Sequence, residues 1–228
     1  MSALMPTYKR LPVAFSHGEG ARLYDLSGRE YLDGLSGIAV TNLGHSHPAV
    51  TAAICEQAST LAHTSNLFVI PQQERLASEL TAITGMERVF FCNSGAEANE
   101  AAIKLARHYG HDRGVNNPTI VVLEQAFHGR TMGALAASAG TGMQTPFAPM
   151  LGGFVRVASN DLAAIKVLTQ THSNIVAVML EPVQGEGGVR PLDLDYLIGL
   201  RQLCDEQQWL LMFDEVQTGN GRCGDFYA

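Results

Sequence analysis

Three features of this chain have residue types and spacings that can do chemistry. They are an acid that closes an apolar strand, an aromatic three residues before an arginine, and a glycine in the first turn of a helix. The acid is Asp214, in WLLMFDEVQ. A carboxylate after a fully apolar run is costly to bury unless it meets a cationic partner. No Lys or Arg precedes it in its own strand. A protonated heteroaromatic nitrogen is a fitting partner, and the negative charge would keep that nitrogen protonated. The aromatic is Phe127, in EQAFHGRT, where it could stack on a planar ring. Arg130 follows with a planar fork suited to a carboxylate. The glycine is Gly95, in VFFCNSGAEANEAAIKLARHYG. It costs helix stability relative to Ala, but it lets a ligand approach the backbone. The free N–H groups and positive dipole end at that spot suit a phosphate.

Taken singly, each feature has a plainer reading. Ser94 with Glu97 three residues on fits a capping box, Phe127 fits core packing, and Arg130 fits a surface ion pair. His128 reads as a turn or hydrogen-bonding histidine, and His45 and His47 in GHSHP are too isolated for a metal site. Taken together, a phosphate at a helix N-terminus, a ring stacked on an aromatic and a ring nitrogen facing Asp214 describe pyridoxal 5′-phosphate (PLP), an electron sink for amino-acid chemistry.

Such residues need a frame that gathers them. Apolar runs at VFF (89–91), TIVVLE (119–124), IVAVMLE (175–181) and WLLMFDE (209–215) alternate with helical segments, clearest at 160–171 and 193–208. This rhythm predicts an α/β fold with a parallel sheet covered by helices on both faces. The runs end in Asn93 and Ser94, Glu124, Glu181, and Asp214 with Glu215. Ligands of open α/β sheets sit beyond the carboxyl ends of the strands, so four such ends define one site. In the helix after Ser94, the residues Ala98, Ala101, Ala102, Leu105, Ala106 and Tyr109 recur at helical spacing, and Gly110 is a natural stop. Upstream, ARLYDLSGREYLDGLSG predicts a small β-meander turning at Ser27–Gly28. Residues 1–50 read as an N-terminal arm or part of a small domain, and 51–228 as a larger domain. Helices are predicted over 47–62, starting at Pro48, and over 72–83.

Composition narrows the partners. The 228 residues are 46% hydrophobic and 16% charged, which supports a sizeable core and argues against disorder. A formal net charge of -7 argues against nucleic acid or an anionic membrane as the main partner. Cys55, Cys92, Cys204 and Cys223 form neither a CxxC pair nor a Cys/His ligand pattern. Reduced thiols in the cytoplasm are the plain expectation, with no metal site. The opening MSALMPTYKRLPVAF lacks an apolar signal-peptide core, and no run is long enough to span a membrane.

The segments YDLSGREYLDGLSGIAVTNLGHSHP, FCNSGAEANEAAIKLAR, FHGRT, EPVQGEGGV and FDEVQTGNGR occur in this order over essentially the whole chain. Together they resemble the class III PLP-dependent aminotransferases, most of all the acetylornithine branch, with the ornithine branch as a cousin. The resemblance implies PLP-transferase fold type I: an incomplete PLP-binding large domain plus an N-terminal arm. It implies that Ser94, Gly95 and Ala96 hold the phosphate, and that Phe127 stacks on the pyridine ring with His128 beside it. Asp214 would meet the ring nitrogen, Val216 would lie under the ring and Gln217 near its phenolic oxygen. Arg130 would bind the substrate carboxylate, and Glu181 and Glu186 would line the site. Glu186 resembles a glutamate that pairs with a second carboxylate-binding arginine. Ser65, Asn66 and Phe68 resemble a segment lent to a neighbouring subunit, which implies a homodimer. Ile38, after Gly37, stands where ornithine aminotransferases resemble one another in bearing a tyrosine. An apolar residue there favours an acylated α-amino group. The implied reaction moves the terminal amino group of N-acetylornithine to 2-oxoglutarate, in arginine biosynthesis. Ornithine, succinylornithine and other ω-amino acids are alternative donors.

One departure matters. The family carries its cofactor on a lysine downstream of the DEVQ motif, whereas the lysines here are Lys9, Lys104 and Lys166, none in a matching motif. The expectation is a chain that lacks the Schiff-base lysine and cannot transaminate alone. A non-catalytic fragment keeping the shape of the PLP pocket is the alternative. A reading of another class, a nicotinamide-dependent dehydrogenase, rests on GNGRCG (219–224), literally G-x-G-x-x-G after an apolar strand. Its context is poor, because the glycines stand off from the strand and no helix or ribose-binding acid follows.

Overall fold

The computed structural model describes residues 3–228, without the side chains of residues 141 and 143. The chain divides into two compact units that meet in sequence at Ser78 and Glu79.

In the first unit, β1 (Phe15–Glu19), β2 (Arg22–Asp25) and β3 (Glu30–Leu32) form an antiparallel meander. Asp25 builds the β2–β3 turn. Its Oδ1 accepts from the Ser27 hydroxyl at 2.6 Å, the Ser27 N–H at 2.8 Å and the Arg29 N–H at 3.0 Å. The Ser27 hydroxyl above all pulls the Asp25 carboxyl down to about 2. Gly28 takes φ 83°, a region open to glycine. A short turn, α1 (Ser36–Ala39), follows and is left-handed, with φ of 55° at Ser36, 65° at Gly37, 63° at Ile38 and 61° at Ala39. Only Gly37 adopts that conformation freely, and the β-branched Ile38 is strained there. Asp33 steadies the turn by accepting from the N–H groups of Leu35 and Ser36, and it also meets His45 Nε2 at 2.7 Å. Helix α2 (Pro48–Thr60) starts on Pro48, and α3 (Pro71–Thr84) follows, each within two residues of its expected bounds.

The second unit is built on four strands: β4 (Thr119–Leu123), β5 (Phe154–Val157), β6 (Ile175–Leu180) and β9 (Leu210–Phe213). They lie in the order β5-β4-β6-β9 and every pair is parallel. All residues of β4 and β6 are buried, which is why those runs are apolar without alternation. Helices α4 (Gly95–Asp112), α5 (Met132–Ala137), α6 (Thr141–Gln144), α7 (Leu162–Thr171) and α8 (Leu194–Gln207) connect or flank the strands. A hairpin, β7 (Val183–Gln184) with β8 (Arg190–Pro191), follows β6. On one face Val121, Leu123, Val178 and Leu180 pack with Ile165 of α7 and with Leu200 and Leu203 of α8. On the other Ile120, Val122, Ala177 and Met179 pack with Ile103 and Ala106 of α4. Burying each large aliphatic side chain contributes roughly 1.5–3 kcal/mol. Among the described residues no helix is long and apolar enough to cross a membrane.

Four local expectations need correction. Val89–Phe91 form no strand. Among the described residues no strand pairs with them, and Phe90 is 75% exposed. Strand β5 was not marked by an apolar run because FVRV is short and carries Arg156, whose guanidinium reaches the carbonyls of Ala136 and Ser138. Gly110 does not stop α4, which runs to Asp112. It is buried, and a Cβ there would sit 2.7 Å from Val176 Cγ1 and 2.9 Å from Pro118 Cγ, so the glycine serves close packing. The buried stripe of α4 is Asn99, Ile103, Ala106 and Gly110, while Leu105 is 63% exposed. A polar residue inside the stripe shifted the apparent face.

Candidate active site

The first turn of α4 is capped as its sequence predicts. Ser94 Oγ accepts from the Glu97 N–H at 3.2 Å. The Glu97 carboxylate reaches back to the Asn93 N–H at 2.7 Å, one residue before the cap. Gly95 and Ala96 occupy the first two helical positions, whose N–H groups have no partner within a helix. Gly95 has a second reason to be glycine: a Cβ would lie 2.6 Å from Val216 Cγ1. The helix start is thus pressed against the loop that follows β9.

Asp214 heads that loop and is 7% exposed. Its Oδ2 accepts from Asn99 Nδ2 at 2.8 Å and from His128 Nδ1 at 2.8 Å, and its Oδ1 accepts from the Val216 N–H at 3.1 Å. A carboxylate only accepts, so His128 carries its proton on Nδ1. His128 Nε2 is buried with no partner among the described residues, and a proton there would be an orphaned donor. The sequence offered no compensation for a carboxylate at this depth. The structure supplies it from two segments far away in the chain, with one side of Oδ1 left over.

The loop after β4 is fixed from several directions. Asn99 Nδ2 also donates to the His128 carbonyl at 2.7 Å, and Ser138 Oγ accepts from the His128 N–H at 2.8 Å. Gly129, at φ 133°, brings the loop against α4: a Cβ there would lie 2.9 Å from the Ala96 Cβ. Glu100 Oε1 accepts from the Thr131 hydroxyl at 2.5 Å and from the N–H groups of Gly133 at 2.9 Å and Ala134 at 3.1 Å, capping α5 from outside. Half-buried Phe127 donates its N–H to Glu181 Oε1 at 2.8 Å, and Glu181 Oε2 accepts from the Gly185 N–H at 3.3 Å. Glu181 is 5% exposed, and burial pushes its carboxyl above the ordinary carboxylate value. It ties two loops together from beneath. Gln217 lies over Gly185, where a larger residue would collide with its side chain. Phe127, Arg130 and Glu186 line one open cavity of about 530 Å³, together with Gln125, Ala126, Ala139, Gly140, Gly187 and Arg190.

The second unit therefore brings together Ser94, Gly95, Ala96, Phe127, His128, Arg130, Glu181, Glu186, Asp214, Val216 and Gln217. Ile38, Ser65, Asn66 and Phe68 belong to the first unit. Glu124 is exposed, and Glu215 turns to the Thr218 hydroxyl at 2.5 Å. Lys104 is exposed on α4, ~14 Å along the helix from Gly95, and Lys166 is exposed on α7.

Residues 4–228 match the family Aminotransferase class-III. The chain belongs to the class III aminotransferases. Acetylornithine aminotransferase of Nitrosomonas europaea is 57% identical over 228 residues, and acetylornithine aminotransferase 1 of Bordetella parapertussis is 51% identical over 227. Each match takes in 100% of this chain and 58% of the relative, so the chain spans little more than half the length of these relatives. N-acetylornithine aminotransferase from Stenotrophomonas maltophilia superposes with TM-score 0.82 at 40% identity, over 97% of this chain and 55% of the other. Ornithine aminotransferase from Toxoplasma gondii superposes with TM-score 0.91 at 33% identity, over 95% and 52%. A second structure of that T. gondii enzyme, at TM-score 0.90, has PLP at partial occupancy in its active site.

In this class III aminotransferase chain, sequence reasoning overlooked Asn99 and Glu100. Both lie within the motif SGAEANEAA, but as single polar residues on a helix they look like solvated surface. Helical spacing held a usable signal for Asn99, which shares a stripe with Ile103, Ala106 and Gly110.

Proposed function

We propose that this chain forms most of the cofactor-holding part of a homodimeric, PLP-dependent aminotransferase. Its reaction would move the terminal amino group of N-acetylornithine to 2-oxoglutarate. The observation that carries this reading is the buried Asp214 carboxylate, held by Asn99, His128 and the Val216 N–H with part of Oδ1 still able to accept. That donor set fits a protonated ring nitrogen, and the first-turn N–H groups of Gly95 and Ala96 fit a phosphate.

In this reading Ser94, Gly95 and Ala96 hold the phosphate. Asp214 keeps the ring nitrogen protonated, and His128 keeps Asp214 in place. Phe127 and Val216 offer apolar surface to the ring, Gln217 addresses its phenolic oxygen, and Glu181 fixes the loop that presents Phe127. Arg130 orients the substrate carboxylate, and Glu186 shares its cavity. Ile38 presents no hydroxyl to a free α-amino group and so favours an acylated donor. Ser65, Asn66 and Phe68 serve the partner subunit's site. The chemistry that PLP supplies when bound is an electron sink for amino-acid transformations. None of Lys9, Lys104 and Lys166 suits the role of the lysine that carries the cofactor. We assign that role to a residue outside these 228.

The test uses the complete gene product with PLP and 2-oxoglutarate, and measures glutamate formed from N-acetylornithine and from ornithine. A clear preference for N-acetylornithine is expected. A preference for ornithine would overturn the donor assignment, and no glutamate from either would overturn transamination.

A further inference from the structure

The turn that carries Ile38 is held by polar contacts rather than by packing. Leu35, Ile38 and Val40 are all exposed, and no residue of α1 is buried. Yet Ser36, Gly37, Ile38 and Ala39 all stand in the left-handed region. Each non-glycine residue there costs free energy, because its Cβ crowds the following carbonyl. Such a run persists only where its surroundings over-determine it. Within the turn, the Val40 and Thr41 N–H groups donate to the Ser36 carbonyl at 2.8 and 3.0 Å, and the Ser36 hydroxyl meets the Thr41 hydroxyl at 2.9 Å. At its entrance, Asp33 Oδ1 accepts from the Leu35 N–H at 3.1 Å and the Ser36 N–H at 2.8 Å.

Asp33 is itself anchored. Its side chain is 8% exposed, and its Oδ2 accepts from His45 Nε2 at 2.7 Å. That contact above all holds the Asp33 carboxyl below the ordinary carboxylate value, so its bonds to the turn are charge-assisted. His45 is a fixed post. Its N–H donates to the Gly20 carbonyl at 2.8 Å, and its own carbonyl accepts from the Gly20 N–H at 3.0 Å. Its ring lies against Gly18, where a Cβ would come within 2.8 Å of the ring carbon Cγ. An unbroken line of contacts therefore runs from the β1–β2 hairpin through His45 and Asp33 to the turn of Ile38.

We propose that Asp33 and His45 are positioning residues for the amino donor: they latch the left-handed turn, and the preference for an acylated over a free α-amino group depends on that latch. Without it the turn is free to relax to a cheaper backbone, and Ile38 leaves its place. The inference rests on the reading that Ile38 meets the donor, and the experiment tests that reading separately.

The experiment uses the complete gene product loaded with PLP. It measures kcat/KM for N-acetylornithine and for ornithine in the wild type, Ile38→Tyr, Asp33→Ala, His45→Ala and His45→Gln. The ratio of the two values does not depend on how much of the protein is folded, so a merely structural role leaves it unmoved. In Asp33→Ala and His45→Ala the ratio should fall about tenfold, equivalent to ~1.4 kcal/mol of discrimination. His45→Gln puts an amide donor within reach of Asp33 and should recover part of the loss. Amide hydrogen exchange on the same proteins needs no turnover. Val40 and Thr41 should exchange about tenfold faster in both alanine variants, with the amides of β2 unchanged. An unchanged ratio, unchanged exchange at Val40 and Thr41, or exchange that rises equally in β2 would overturn the proposal. A ratio that Ile38→Tyr shifts and the alanine variants do not would sink the latch alone. A ratio that the alanine variants shift and Ile38→Tyr does not would keep the latch and remove the Ile38 side chain from donor choice. A protein that transfers no amine from either donor would sink the aminotransferase reading, and exchange alone would then decide the latch.

Discussion

Replacing Asn99 by Leu should destabilise the second unit heavily, although the two side chains are close in size. Asn99 is 6% exposed, and its Nδ2 donates both to the His128 carbonyl and to Asp214 Oδ2. Leucine fills the space and gains some apolar burial, but it leaves a buried carbonyl and a buried carboxylate each one donor short. Orphaning the buried carbonyl costs about 1–3 kcal/mol, and the carboxylate, which keeps its His128 and Val216 donors, loses a charge-assisted hydrogen bond of about 1.5–3 kcal/mol. The two losses together come to about 3–5 kcal/mol against a typical domain stability of roughly 5–15 kcal/mol. The assay is urea unfolding of the complete gene product, followed at Trp209, which is 7% exposed one residue before β9. With a slope of about 2–3 kcal/mol per molar urea, the midpoint should fall by at least ~1 M. Asn99→Asp sharpens the test. Two carboxylates side by side cannot both ionise cheaply, so the pair's folded-state pKa lies above its unfolded value. Stability is then fully present below the unfolded pKa and is lost as pH rises. This variant should stand closer to the wild type at pH 5 than at pH 8. A midpoint for Asn99→Leu within about 0.3 M of the wild type would refute the reasoning, since that is under 1 kcal/mol at such slopes.

Other residues give equally direct tests. Glu181 has a folded-state pKa raised by burial above 4.5, so its favourable contribution is complete below that value and is lost as pH rises. Relative to Glu181→Gln, the wild type should lose stability between pH 4 and pH 8, as melting temperatures at several pH values will reveal. Glu100 behaves oppositely. Burial opposes its ionisation, but the Thr131 hydroxyl and the Ala134 and Gly133 N–H groups win and lower its carboxyl. Glu100→Ala should cost about 1 kcal/mol of capping at neutral pH and raise KM for carboxylate substrates by freeing the Arg130 loop. The stability difference should shrink as pH falls below 4.5, which a pH series of unfolding curves checks. Gly110→Ala would gain about 1 kcal/mol of helix propensity but overpack against Val176 and Pro118 at about 1–3 kcal/mol. A net loss by thermal unfolding is expected.

The parts of this fold that were legible in the sequence are those where one physical demand dominates. Strands β4 and β6 are buried on both faces, so TIVVL and IVAVML announce themselves. Ser94 caps a helix and Asp214 ends an apolar run, and both patterns are local. Illegible features depended on residues distant in sequence. Val89–Phe91 have the composition of a strand but no paired neighbour. Gly110 looks like a stop signal until Val176 and Pro118 are seen against it. Asn99 looks like a surface residue until Asp214, 115 positions away, gives it a partner. Asp214 likewise looked short of a cation, because local sequence cannot show that donors from α4 and the β4 loop converge on it.

The strand order carries a consequence for biosynthesis. Strands β4, β5 and β6 are consecutive in the chain and adjacent in the sheet, whereas β9 joins the edge after a long excursion through α8. On the ribosome the three-stranded core has all its residues once Leu180 has emerged. Asp214 arrives about 34 residues later, roughly two to seven seconds at ordinary elongation rates. During that interval Asn99 and His128 face a place where their acceptor has not yet been made. Asp214 closes this hydrogen-bonded cluster late, and a nascent chain stalled in α8 would hold the three strands β5, β4 and β6 with an open polar seam.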